Sequence, residues 1–359
     1  MSIIGSKFLR NAWYVAAWSH EVKSSSLLAR TIINTPVVFW RDHSGQLVAL
    51  IDRCCHRAAP LSTGRLEGDN VRCMYHGLLY EPSGRCVEIP SQKFVPPVAC
   101  VRAFPVVERF KWIWIWMGDV EQADASLIPD THYLDDPNWR GQPGYLHYEA
   151  NYLLIADNLM DFSHLSYVHE KTLGGSARYA TVHPKVSTGK RSVKVERWLL
   201  DDEPAPFLRK LRTWQGNVDR WNIYEFFLPG VLLMDSGSAP AGTGAPDGRR
   251  TDAACFFGCQ AVTPESDRTT HYFFQQSHAF ALDQPEVTEK LTASILEGFD
   301  EDRRMITAQQ RILELDSEAP LVALRMDVAL AAFRTLLQRT IESESATRER
   351  SDNRSQAAS

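Results

Sequence analysis

Apolar residues fall into short runs over the first 120 residues of this chain and into longer helical periods near its end. Residues 35–40 and 47–51 are rich in β-branched and aromatic side chains and flank Asp42-His43-Ser44-Gly45, which predicts a hairpin. Trp112-Ile113-Trp114-Ile115-Trp116 lacks polar alternation, as expected of a strand buried on both faces. Residues 127–143 contain three prolines and read as a connection between two domains.

A helical stretch is predicted over residues 151–169, with Gly174-Gly175 just beyond it. Alternation at residues 193–196, with the runs 223–234 and 271–275, predicts strands of one further sheet. The glycine- and proline-rich segment 239–250 reads as an exposed loop. Helical patterning returns over 286–315 and 321–341, and the polar tail 342–359 is expected to be disordered. There is no internal repeat.

Composition sets outer limits. A chain of 359 residues exceeds one ordinary core, so two domains are expected, 1–140 and 141–341. With 44% hydrophobic and 23% charged residues and a net charge of −5, it reads as globular and lacks the basic balance of a nucleic-acid binder. No apolar run reaches the length of a membrane span, and residues 1–10 do not read as a signal peptide, so a cytoplasmic location is expected. Four of the seven cysteines fall between positions 54 and 86, which favours a metal site over disulfides.

Two constellations carry chemistry. Cys54-Cys55-His56 and Cys73-Met74-Tyr75-His76 pair Cys54 with His56 and Cys73 with His76, sixteen residues apart. Two cysteines and two histidines are the ligand set of a Rieske [2Fe–2S] cluster, where imidazoles replace two thiolates and make the cluster easier to reduce. Tetrahedral zinc is the rival, but zinc-finger spacing pairs Cys with Cys and His with His. Cys55 and Cys86 read as non-ligands, because using Cys55 would break the Cys-x-His spacing.

The second constellation is Asn158-Leu-Met-Asp161-Phe-Ser-His164-Leu-Ser-Tyr-Val-His169. Two histidines and a carboxylate form the facial triad that binds Fe(II) and leaves positions open for oxygen. His164 and His169 lie about 140° apart around an ideal helix. Both can face one metal only if the helix ends or distorts near residues 166–168. The carboxylate should come from Asp300-Glu301-Asp302, among which position alone does not choose.

These motifs resemble the Rieske non-haem iron oxygenases, and the similarity extends from about residue 9 to residue 337. Asn158-Leu-Met-Asp161 with His164, Val262-Thr-Pro-Glu265 with His271-Tyr-Phe-Phe274, and Glu301-Asp302 with Ala308-Gln-Gln310 resemble the aromatic O-demethylase branch, in particular vanillate O-demethylase oxygenase subunits. The resemblance implies an α+β chain with an N-terminal all-β Rieske domain and a helix-grip catalytic domain with a curved antiparallel sheet. It implies Cys54, His56, Cys73 and His76 on the cluster, and His164, His169 and Asp302 on iron. It further implies a homotrimer in which Asp161 bridges His164 and His76 of the partner subunit, carrying electrons between centres.

The expected reaction is O-demethylation of vanillate or a related methoxybenzoate to a phenol and formaldehyde, with dicamba-like and toluenesulfonate-like acids as alternatives. Electrons would come from a separate flavin and [2Fe–2S] reductase using NADH or NADPH, since the chain has no dinucleotide fingerprint. Arg220, Tyr224 and Gln260 are the candidates for binding a substrate carboxylate. A Rieske electron carrier, a zinc-stabilised binding module and a ring-dihydroxylating dioxygenase are the competing readings.

Overall fold

The computed structural model describes residues 8–174 and 176–357, so Gly175 of the expected Gly-Gly pair lies outside the described residues. The chain forms two compact units. One comprises Arg10–Ile128 and Thr263–Asp267, the other Pro129–Val262 and the chain from Arg268 onward.

The first unit is built of antiparallel strands. They are β1 (Trp13–Trp18), β2 (Leu28–Ile32), β3 (Thr35–Arg41), β4 (Leu47–Ile51), β5 (Arg65–Glu67), β6 (Asn70–Arg72), β7 (Leu79–Tyr80), β8 (Cys86–Glu88), β9 (Val106–Arg109) and β10 (Trp112–Trp116). They make three sheets, β1-β10-β9, β2-β3-β4 and β5-β6-β7-β8. The predicted hairpin is β3–β4, closed where the Gly45 N–H donates to the Asp42 carbonyl at 2.9 Å, with Gly45 at φ 84°. Every side chain of β10 is buried, as its unbroken apolar run requires.

Thr263–Asp267 completes this unit: the Thr263 hydroxyl donates to the Val15 carbonyl (2.8 Å) and the Ile33 N–H to the Pro264 carbonyl (2.8 Å). The unit stops at Ile128, twelve residues short of the boundary expected at 140. Residues 129–140 instead join the second unit, where Ser277 Oγ donates to the Tyr133 carbonyl (3.2 Å) and Arg140 and His278 exchange backbone bonds (3.0 and 2.8 Å). Proline content marked this connection but could not say which side it packs on.

The second unit contains β11 (Gly144–Tyr148), α1 (Tyr152–Met160), β12 (Lys185–Thr188), β13 (Ser192–Asp202), α2 (Pro206–Leu211), β14 (Val218–Phe227), β15 (Val231–Pro240), β16 (Ala254–Pro264), β17 (Thr270–His278), α3 (Pro285–Leu315) and α4 (Val328–Ala357). Its seven-stranded sheet has the order β11-β17-β16-β15-β14-β13-β12. The expected strand over 223–234 is two strands, because Leu228-Pro229-Gly230 turns the chain between β14 and β15. The chain is an α+β protein with antiparallel sheets, as expected.

α3 begins with Pro285 at its first turn and buries Val287, Leu291, Ile295, Phe299, Asp302, Ile306 and Gln310. This is a single stripe at the helical period, and Asp302 stands in it. Phe299 packs edge-on against Phe274 of β17 (4.9 Å between rings), and its carbonyl accepts from the Tyr148 hydroxyl at 3.2 Å. α4 corrects the expected disordered tail: the helix runs through Ala357. Side-chain bonds to the backbone one turn back recur along it, from Thr340 to Leu336 and from Ser345 to Ile341. The helix is anchored by Ala329, Phe333, Leu337 and Ile341, which are buried at the helical period.

Candidate metal centres and active-site cavity

In the first unit, two loops of one design carry the Cys/His motifs. The Cys54 N–H donates to the Ala59 carbonyl and the Ala58 N–H returns to the Cys54 carbonyl, at 2.8 and 3.0 Å. The second loop repeats this, Cys73 to Leu78 at 2.8 Å and Gly77 to Cys73 at 2.9 Å. Both need a left-handed residue at the same place, Ala58 at φ 56° and Gly77 at φ 80°. At Gly77 an added Cβ would also meet Pro90 Cγ at 2.8 Å.

The loops bury Cys54 and Cys73 and leave His56 and His76 exposed, with the imidazoles 4.5 Å apart. Burial pushes the Cys73 thiol up, and the neighbouring Cys54 adds to the effect. The Tyr80 hydroxyl lies 3.1 Å from Cys54 Sγ and 3.2 Å from Cys55 Sγ. Among the described residues, only His164, His169 and Asp302 bring three donor atoms of such residues within 4.8 Å of one another. The Cys54, His56, Cys73 and His76 donors therefore do not converge on one point as tetrahedral zinc demands. Buried thiols paired with exposed imidazoles suit a two-iron cluster with different ligands on each iron.

In the second unit, α1 ends at Met160 and Asp161 breaks it, with φ −129° and ψ 101°. The next turn, Phe162–Ser166, is a 3₁₀ helix capped by the Asp161 carboxylate, which accepts from Ser163 N–H (2.8 Å) and Ser163 Oγ (2.6 Å). A break was needed to bring both imidazoles together. It falls at Asp161, upstream of the expected 166–168, because this short side chain caps the following turn. His164 does not bond the Asp161 carboxylate: its Nδ1 is 2.5 Å from the Asp161 backbone carbonyl.

Three consecutive acids in α3 have three different surroundings. Asp302 Oδ1 lies 3.1 Å from His169 Nε2 and 3.5 Å from His164 Nε2. Glu301 Oε2 lies 2.7 Å from His169 Nδ1 and accepts from Thr172 Oγ1 at 2.6 Å. Asp300 turns away to Arg303 and Arg304. Donors about 2.1 Å from a metal, on adjacent octahedral corners, lie about 3 Å apart, so this His/His/Asp set fits Fe(II). Asn158 Nδ2 donates to Asp302 Oδ1 at 2.8 Å.

Burial holds the His164 imidazolium below its usual range, outweighing the Asp302 charge that favours it. At His169 burial acts the same way, but Asp302 and then Glu301 overcome it and its pKa rises. Both Nδ1 atoms already have oxygen partners, which leaves the two Nε2 atoms facing Asp302 as metal donors.

These donors open onto a cavity with about 90 Å³ of free volume. Its apolar wall includes Leu159, Phe162, Phe207, Phe256 and Ile295; Arg220 and Gln260 are among the polar lining residues. Tyr224 is not: its hydroxyl donates to the Met160 carbonyl at 3.1 Å, so the expected substrate contact is replaced by a bond within the protein. The Gln260 carbonyl oxygen accepts from the Tyr272 hydroxyl at 2.6 Å. Sequence reasoning left Glu301 as one of three candidate acids, gave Asn158 no separate role and missed the backbone role of Asp161. The apolar stripe of α3, read forward from Val287, would have singled out Asp302.

Residues 148–343 match the family of the vanillate O-demethylase oxygenase C-terminal domain, and residues 12–105 match the Rieske [2Fe-2S] domain. The chain belongs to the Rieske non-haem iron oxygenases. It is 46% identical to the iron-sulfur subunit of a toluene-4-sulfonate monooxygenase system from Comamonas testosteroni, covering 94% of this chain and 98% of that one. It is 34% identical to the vanillate O-demethylase oxygenase subunit of Pseudomonas sp. (strain HR199 / DSM 7063), over 94% and 96% of the two chains. The crystal structure of dicamba monooxygenase bound to 3,6-dichlorosalicylic acid superposes with a TM-score of 0.87 at 34% identity, covering 95% of this chain and all of that one. This Rieske oxygenase is thus an oxygenase component of the monooxygenase type, with a [2Fe–2S] domain and a non-haem iron site. No helix among its described residues is long and apolar enough to cross a membrane.

Proposed function

We propose that this Rieske oxygenase is the terminal component of an aromatic O-demethylase that converts vanillate or a related methoxybenzoate to the phenol and formaldehyde. The supporting observation is that the His164, His169 and Asp302 donors share a cavity with Phe162, Phe207 and Phe256. A flat ring fits against those side chains while its substituent faces the donors. One oxygen atom of O₂ enters the methoxy carbon and the other leaves as water, which consumes two electrons and two protons.

Fe(II) held by His164, His169 and Asp302 would supply oxygen activation, and a [2Fe–2S] cluster held by Cys54, His56, Cys73 and His76 would supply single electrons. The protein groups set the geometry. Glu301 and the Asp161 carbonyl hold the two Nδ1–H groups, and Asn158 steadies Asp302. The apolar walls position the ring and exclude bulk water.

The partner is a flavin and iron–sulfur reductase oxidising NADH or NADPH, in keeping with relatives named as components of larger systems. The assembly we propose is a homotrimer in which Asp161 links the two centres. Its side chain is 16% exposed, which leaves an edge for His76 of the partner subunit. A cytoplasmic location accords with Cys55 and Cys100, which are exposed and in no disulfide.

The test is product analysis with a reductase, reduced nicotinamide cofactor and O₂. Vanillate should yield protocatechuate and formaldehyde in equal amounts; a cis-dihydrodiol as main product would overturn the assignment. The 46% identity to the toluene-4-sulfonate subunit favours a second reading, hydroxylation of an aryl methyl group, which toluene-4-sulfonate in the same panel distinguishes.

A further inference from the structure

We infer that Arg220 and Ser238 together seat an anionic head group, a carboxylate or sulfonate, on the substrate's ring; this rests on the reading of the cavity as the substrate site. The two residues are direct partners across β14 and β15 and both line the cavity. Directly opposed residues in an antiparallel pair project to the same face with Cβ atoms about 5 Å apart. The guanidinium and the hydroxyl can therefore reach one ligand group.

Each of the two keeps bonding capacity that the chain around it does not use. Ser238 is wholly buried, and its Oγ has no hydrogen-bond partner. Arg220 is only 5% exposed, yet no carboxylate lies within 4.0 Å of it among the described residues. Its guanidinium donates to the carbonyls of Gly174 (3.0 Å) and Leu173 (3.4 Å) and lies 5.0 Å from the centre of the Tyr179 ring. Those contacts aim the fork and leave further N–H groups unspent, since a guanidinium carries five.

Other arginines of this unit show the usual arrangement. Arg197 lies 3.8 Å from Asp161, and Arg250 is 2.7 Å from Asp235. Asp219, the adjacent acid, instead accepts from the Asp201 N–H (3.0 Å) and the Gly242 N–H (2.9 Å), and Asp202 accepts from Ser176 Oγ (3.1 Å) and sits 3.8 Å from Arg178. A buried cation with no carboxylate beside it among the described residues is a place for an anion from outside. Planar guanidinium suits carboxylate and sulfonate oxygens alike, and the hydroxyl adds a donor beside it.

The position also suits the chemistry. Leu173 and Gly174, which orient Arg220, belong to the turn that carries His169: the Gly174 N–H donates to the His169 carbonyl at 3.0 Å. A head group on Arg220 is thereby linked to the metal donors through a short hydrogen-bonded segment, residues 169–174. The next pair along the same face, Asn222 and Ser236, also lines the cavity and offers polar contacts to ring substituents.

The experiment is calorimetric binding to the anaerobic holoenzyme. Its ligands are 4-methoxybenzoate and toluene-4-sulfonate, each matched with its neutral amide, 4-methoxybenzamide and toluene-4-sulfonamide. At least one anion should bind about tenfold or more tightly than its amide, the size of one charge-assisted bond. The favoured anion identifies carboxylate or sulfonate as the natural head group. Arg220→Gln should abolish the preference for the anion while cluster absorbance and iron content stay at parent values, and Arg220→Lys should retain part of it. Ser238→Ala should weaken the anion a few-fold and leave the amide unchanged, which keeps the test decisive if Arg220→Gln does not fold. Anion preference surviving in both Arg220→Gln and Ser238→Ala would overturn the inference. Equal binding of anions and amides by the parent protein would overturn it too and leave the oxygenase reading standing. Binding of none of the four ligands would overturn both.

Discussion

The Glu301 carboxylate lies 2.7 Å from Nδ1 of His169, while the next residue, Asp302, faces Nε2 of the same ring at 3.1 Å. One helix thus presents an acid to each nitrogen of one imidazole. Glu301 fixes the tautomer and ring orientation, and Asp302 joins the donor set. Removing an outer carboxylate of this kind lowers metal affinity by about 10–100-fold. Glu301→Ala should lose mononuclear iron to a mild chelator at a concentration that leaves the parent loaded, with cluster absorbance unchanged. Asp300→Ala, which removes a carboxylate facing Arg303 and Arg304, should behave as the parent. Iron analysis after dialysis decides this, and equal retention in both variants would remove the role given to Glu301.

The two centres should be separable. Anaerobically purified protein is expected to hold about three irons and two acid-labile sulfides per chain. His56→Ala or Cys73→Ser should bleach the visible spectrum and leave the mononuclear iron. His164→Ala or Asp302→Ala should do the reverse. Iron and sulfide assays check both arms, and stoichiometric zinc in a colourless protein would refute the whole scheme.

Asp161 tests electron coupling apart from metal binding. Because His164 is held by the Asp161 backbone carbonyl, changing that side chain need not free the imidazole. Asp161→Asn also keeps an acceptor for the Ser163 N–H. We expect both metal centres to survive while cluster reoxidation slows markedly, because the charge proposed to face His76 of the partner subunit is lost. Stopped-flow absorbance with substrate and oxygen follows this step, and reoxidation at the parent rate would take Asp161 off the path.

Tyr80 should tune the cluster. Its hydroxyl, kept protonated by burial and by the neighbouring thiols, stands 3.1 Å from Cys54 Sγ. A hydrogen bond to a thiolate sulfur favours the more electron-rich, reduced state. Tyr80→Phe removes about 1 kcal/mol of that preference, which for one electron is about 40 mV. Protein-film voltammetry should find the potential lower by that order; no shift would mean that the hydroxyl serves Cys55 instead.

Acid stability of the first unit should register Glu67. Hydrogen bonds from Arg72 and then Arg65 pull its carboxyl down from 4.5 to about 2. A depressed carboxylate contributes stability that is present above its unfolded pKa and lost as pH falls through the folded one. The contribution should fade between about pH 4.5 and 2. Glu67→Gln should unfold at higher pH than the parent in a circular-dichroism acid titration, with coincident curves above pH 5 counting as agreement only if they part below it.

What the sequence alone determined was local. Cys54 with His56, Cys73 with His76 and His164 with His169 are each within a few residues, so chain connectivity nearly forces the members of each pair into one neighbourhood. The Asp42–Gly45 hairpin and the apolar period of α3 were legible for the same reason: turn chemistry and helical repeat act over a few residues. Tertiary structure decided whatever depends on how distant elements meet. Asp302 stands 133 positions from His169; the apolar stripe of α3 marks it as inward-facing, but only the packing of α3 beside β17 brings it to the two histidines. The helix break sits at Asp161 because Ser163 offers that carboxylate a better partner than a further α-turn would. Arg220 and Ser238 meet through the β14–β15 register, which no local pattern encodes. Ser238 remained invisible in sequence because a buried serine without a partner is defined by its surroundings, and those exist only after folding.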